Sequence, residues 1–149
     1  MVKRIWPSNT EELAGTVFLG GTHGASTWRK DLIPKLEEKG INFFNPIVKK
    51  WTPECILKES EVKAKLDTVH LYVLTWHMKG PYSVAEVVDA SNKWPIKTIL
   101  VVDGHYDPNM TKSLEAVKAL VSTNGARVVN DFKDLVPAIE AALKTEASR

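Results

Sequence analysis

Five short apolar runs alternate with five stretches of helical periodicity, and this alternation constrains the fold more than any single motif in the chain. "TVFLGGT" at residues 16–22 is a buried-strand pattern closed by two glycines. "STWRKDLIPKLEEKG" at 26–40 follows, with Ser26 or Thr27 placed to cap a helix, Gly40 placed to end it, and Trp28, Leu32, Ile33 and Leu36 on one face. Pro34 falls inside that helix, removes one hydrogen bond and predicts a bend. "INFFNP" at 41–46 is the second strand, and a helix with proline at its first position runs from Pro53 to about Lys65. Strand "VHLYVLTW" (69–76), helix "SVAEVVDASNK" (83–93) and strand "IKTILVV" (96–102) come next. Helix 109–125, strand 126–130 and helix 132–144 complete the series. Strands this apolar require helices over both faces, so the prediction is one α/β domain over residues 1–149 with its core at about 16–144: a doubly wound, five-stranded parallel sheet, Rossmann/flavodoxin-like, in the order 2-1-3-4-5.

Composition narrows the function classes. At 149 residues with 44% hydrophobic and 26% charged side chains, the chain is long enough to bury a core and is unlike disordered sequences. Basic residues exceed acidic ones by only two and form no stripe, which argues against nucleic acid as a partner. No run approaches the ~18 apolar residues that span a bilayer, so a membrane role is not expected and a cytoplasmic location is. The lone Cys55 has no CxxC partner and reads as inert helix filling. His23, His70, His77 and His105 show no metal-ligand spacing, and His70 reads as a core residue. The expectation is a protein without metal or cofactor.

In a doubly wound sheet the ligand crevice lies beyond the carboxyl ends of the strands, where the winding reverses between strands one and three. "GGTHGAS", "NPIVKKW", "WHMKGPYS" and "DGHYDPN" are the loops at that edge. Gly20, Gly21 and Gly24 would let backbone approach a ligand, or form a tight turn; their spacing is neither GxGxxG nor GxxxxGK[ST]. Trp28, Trp51 and Trp76 fall at strand ends, where aromatic faces could stack on a nucleobase or simply pack. Glu86 stands out. With Ser83 as cap it would occupy the third helical position, either turned into the crevice or closing an S-x-x-E capping box on its own backbone.

Other uses of this fold fail at the same positions. Thr75 and Trp76 stand where a receiver domain has its phosphate-accepting aspartate, GxSxG is missing, and the first loop is poor in hydroxyls for a flavin phosphate. "VFLGGT", the "NP" at Asn45 with tryptophan beyond, Asp67 ahead of strand three and "GPYSVAEV" at a helix start together resemble the nucleoside 2-deoxyribosyltransferase-like family over residues 16–104. That resemblance implies cleavage of an N-glycosidic bond, with Glu86 as the nucleophile that forms a glycosyl ester. It also implies a nucleoside or nucleotide as the small-molecule partner, and a homo-oligomer of two or more copies.

The substrate-binding set so implied is Gly20, Gly21, Thr22, Trp28, Asn45, Trp51, Trp76, Gly80, Pro81 and Ser83. Two departures stand out. The transferases carry an aspartate six positions before the nucleophile, where this chain has Gly80; and the upstream acid that contacts the base falls near Glu59. Glu59, then Asp103, then His77 are the candidates for protonating the leaving base, while Asp67 reads as structural. Loss of the aspartate tilts the reading toward hydrolysis of a 5′-monophosphate, with base transfer open and a non-catalytic nucleotide-derivative binding module as the alternative.

Overall fold

The computed structural model describes residues 15–47 and 52–146. Their order is β1 (Val17–Gly21), α1 (Trp28–Glu38), β2 (Phe43–Phe44), α2 (Pro53–Ala64), β3 (Val69–Thr75), α3 (Tyr82–Lys93), β4 (Thr98–Asp103), α4 (Pro108–Thr123), β5 (Arg127–Val129) and α5 (Leu135–Lys144). Short 3₁₀ turns at Pro95–Lys97 and Phe132–Asp134 lead into β4 and α5. The five strands are parallel and run β2-β1-β3-β4-β5, the expected doubly wound order.

Strand periodicity assigns the two faces. Val17 and Leu19 of β1, with Val69, Leu71 and Val73 of β3, pack under α1 and α5. Phe18, Tyr72, Leu74 and Leu100 turn the other way and pack under α2, α3 and α4. Strand β3 is buried along its whole length because it is bonded on both edges and covered on both faces. Helix α1 runs unbroken through Pro34. It ends as Gly40 predicts: at φ +67°, Gly40 N donates to Glu37 O and Ile41 N to Leu36 O, a Schellman closure.

The β1–β3 seam continues past the strands. Thr22 N donates to Val73 O at 2.9 Å, and Thr75 N donates to Thr22 Oγ1 at 3.0 Å. At the opposite edge Asp67 Oδ2 accepts from Gly15 N at 2.7 Å, tying the start of β3 to the chain ahead of β1, far from the crevice and in keeping with a structural role. No helix of the described residues is long and apolar enough to cross a membrane.

Candidate active site

Glu86 is the fifth residue of α3, not the third. The helix begins at Tyr82 behind Pro81, and no side chain caps it, so the expected Ser83 cap and its capping box do not form. The physical reason is local. Pro81 has a fixed φ suited to a helix start, its carbonyl accepts from both Val84 N and Ala85 N, and this advances the helix past Ser83. A carboxylate in the second turn gains little from the helix dipole, which fades within the first turn. Its positive neighbours come from tertiary structure instead.

The nearest is Lys63 of α2, whose Nζ donates to Glu86 Oε2 at 2.8 Å. Both side chains are mostly shielded, at 23% and 17% exposure, so this charge-assisted bond is stronger than a surface pair. Lys63 is itself held over the Phe18 ring, 4.6 Å from its centroid. The bond engages Oε2 and leaves Oε1 without a donor among the described residues.

Arg29 is the second positive neighbour. Its guanidinium is buried at the end of β1 and donates to Leu19 O at 3.0 Å, Thr22 O at 2.7 Å and Gly21 O at 3.1 Å. Burial pushes its pKa down to about 10, and the charge of Glu86 acts against that shift.

Glu86 lines a cavity of about 400 Å³ between α2 and α3, shared with Lys63, Tyr72, Tyr82, Asp89 and Trp94. Glu59 lies one turn before Lys63 on the same face of α2. Burial raises its pKa, Lys63 partly offsets the rise, and the negative charge of Glu86 adds to it. Two carboxyl groups therefore sit in one field with different surroundings: Glu86 paired to an ammonium, Glu59 biased toward the protonated form.

The remaining predicted residues serve other contacts. Gly20 carries the Tyr72 ring against its backbone, and a Cβ there would overlap the ring. Gly21, at φ +115°, lies against the backbone of Val73. Thr22 is committed to the β1–β3 seam, and its carbonyl accepts from Trp28 Nε1 at 2.8 Å. Asn45 Oδ1 accepts from Ile47 N at 3.1 Å in a local turn. Gly80 and Pro81 lead into α3 and Ser83 is its second residue, and none of the three lines the α2–α3 cavity.

Trp76 is 58% exposed, stacked on His77 and packed on Gly104. Trp51 lies outside the described residues. Trp28, His77 and Asp103 line a second hollow of about 320 Å³ beside α1 and α5, on the other face of the sheet. Of the candidates for protonating the base, Glu59 is the one electrostatically coupled to Glu86.

Lys63, Arg29 and Tyr72 also belong to this environment, and for Arg29 no local spacing announces it. One signal existed for Lys63: it follows Glu59 by four residues, so both share a face of α2. For Tyr72 the signal was the two-residue spacing from His70, which sets two polar groups on one side of an otherwise apolar strand.

A family model described as "Nucleoside 2-deoxyribosyltransferase like" matches residues 14–106, from the start of β1 to just past β4. No curated protein matches the chain.

Proposed function

The chain belongs to the nucleoside 2-deoxyribosyltransferase-like family, and from that premise we propose that it cleaves the N-glycosidic bond of a (deoxy)nucleoside or nucleoside 5′-monophosphate through Glu86. The observation that carries the reading is the Glu86 carboxylate: it lines a sugar-sized cavity with one oxygen held by Lys63 and is coupled to a carboxyl group biased toward its acid form. Glu86 Oε1 attacks the anomeric carbon as the carbon–nitrogen bond breaks, and the bonding pair leaves with the base. Glu59 gives its proton to the departing nitrogen. The glycosyl ester on Glu86 is then attacked by water, or by a second base, which passes a proton to Glu59 as the ester bond breaks. Two displacements at one carbon retain its configuration.

Lys63 fixes the carboxylate's orientation, and Arg29 adds positive charge at the end of β1 near which the anionic nucleophile sits. The test is release of free base from a panel of nucleosides and 5′-monophosphates, followed by chromatography. Glu86→Gln is expected to lose at least ~10³-fold in rate while folding normally, and a 2-fluoro-2-deoxy substrate to leave its glycosyl mass on Glu86. Turnover with Glu86 unmodified would exclude this nucleophile. Gly80, standing where the transferases have an acid, favours a second reading as a nucleotide-derivative binding module; ligand binding without base release selects it.

A further inference from the structure

Tyr72 occupies the middle of β3 and is 1% exposed, yet its side chain lines the cavity that holds Glu86. Its hydroxyl has no hydrogen-bond partner among the described residues. The hydroxyl is not among the sealed, unpartnered polar atoms of the described residues, so solvent or a ligand reaches it through the cavity. The ring position is closely built: Gly20 has no Cβ because the ring lies there, and the Phe18 ring packs beside it at 6.1 Å. Packing thus holds the ring in place at the cavity wall, with the hydroxyl accessible and not sealed in the core.

Its surroundings set its chemistry. Burial, and then the negative charges of Glu86, Glu59 and Asp89, push the phenol well above its ordinary range, so it stays a neutral donor at any working pH. With the anomeric carbon at Glu86, two sugar oxygens lie next to that carbon: the ring oxygen and the 2′-hydroxyl. A donor on the ring oxygen would oppose the positive charge that develops there in the transition state. The neutral phenol oxygen accepts as well as donates, and a hydrogen bond that the 2′-hydroxyl donates to it strengthens as the glycosidic bond breaks.

We propose that the Tyr72 hydroxyl binds the 2′-hydroxyl of the substrate, so that this cavity takes a ribosyl compound in preference to its 2′-deoxy counterpart. The inference rests on Glu86 marking the sugar's anomeric end, and it departs from the deoxyribosyl preference that the family description names. It is tested by calorimetric titration of the Glu86→Gln protein, which holds ligand without turnover. The four common ribonucleosides and their 5′-monophosphates are compared with their 2′-deoxy forms, with and without Tyr72→Phe.

The expected result is tighter binding of the ribo form by about 10-fold, reduced to near equality by Tyr72→Phe through weaker ribo binding alone. Equal or tighter binding of the deoxy form, a preference that survives Tyr72→Phe, or no binding of any panel member would each overturn the proposal. A structural role for the hydroxyl is separated by melting: without ligand, Tyr72→Phe is expected to melt no lower than the parent, and a lower melting point would also count against it. Binding that follows this pattern in a protein that releases no base would refute the glycosidase reading and leave the 2′-hydroxyl contact standing.

Discussion

Replacing His70 by phenylalanine should convert an acid-sensitive protein into an acid-tolerant one. His70 is fully buried in β3, its ring stacked on Trp94 with centroids 4.3 Å apart and planes 3° from parallel. Neither ring nitrogen has a hydrogen-bond partner among the described residues. Burial, reinforced by the nearby Lys63 charge, lowers its pKa from 6.5 to about 3. The folded ring thus takes a proton only near pH 3, the unfolded one near 6.5, and unfolding binds a proton in between. Stability from the neutral ring is fully present above about pH 6.5 and drains away as pH falls toward 3. At about 1.4 kcal/mol per pH unit, the full window is worth roughly 5 kcal/mol, a large part of the ~5–15 kcal/mol that holds a domain together. By pH 4 the loss is roughly 3.5 kcal/mol. Phenylalanine keeps a ring against Trp94 and removes two unsatisfied nitrogens, which offsets the ~1–3 kcal/mol that a larger ring costs in a packed site. Urea titrations followed by tryptophan fluorescence at pH 7.5, 6, 5 and 4 should give near-equal stabilities at the highest pH and a variant ahead by roughly 3 kcal/mol at the lowest. Parallel curves would show that His70 protonates without penalty and refute the argument, and His70→Leu, which repeats the test without a ring, should diverge from the parent with the same pH slope.

Two further outcomes follow from the site. Arg29→Lys keeps the charge but loses the planar fork that serves three carbonyls; roughly 2–3 kcal/mol of stability should be lost in urea titration. Glu59→Gln should slow base release by about 10²-fold and abolish the alkaline fall in the pH–rate profile, with recovery on substrates whose leaving base needs no proton. Because the folded-state pKa of Glu59 is raised, its contribution to stability is present below about pH 4.5 and lost as pH rises through the folded value. Glu59→Gln should therefore melt higher than the parent at neutral pH and alike in acid.

The layout of the fold was legible because apolar runs and glycine stops are local signals. Gly40 closes α1 by a hydrogen-bond pattern any glycine in that place can make, and five alternations left few topologies open. The cap of α3 was misplaced by two residues because Pro81 and Ser83 both suit a helix start, and composition cannot say which wins. Strand β2 shortens to Phe43–Phe44 because an edge strand bonded to β1 alone needs few ladder bonds. Of the candidate site, the sequence singles out only Glu86 and, weakly, Glu59. Lys63 is 23 positions from Glu86, and Arg29 meets the end of β1 by reaching back from α1; such meetings are made by tertiary packing and leave no spacing to read.

The asymmetry of β3 says why the cavity lies on one side of the sheet. Toward α1 and α5 the strand presents Val69, Leu71 and Val73, apolar until its last residue, Thr75, at the edge of the second hollow. Toward α2 and α3 it presents His70 and Tyr72, whose polar atoms find no donor or acceptor among the described residues. Both sit beneath the helices that bring Lys63, Glu59 and Glu86 together. A sheet selected for stability would carry apolar residues on both faces, because an unmet polar group in the interior costs about 1–3 kcal/mol. His70 bears that cost with both ring nitrogens sealed, while the Tyr72 hydroxyl is accessible at the cavity wall, an arrangement expected where a protein must meet a polar ligand. The neutral His70 ring fits this arrangement: it adds no charge beneath the carboxylates and leaves the field in the cavity to the charged side chains of α2 and α3.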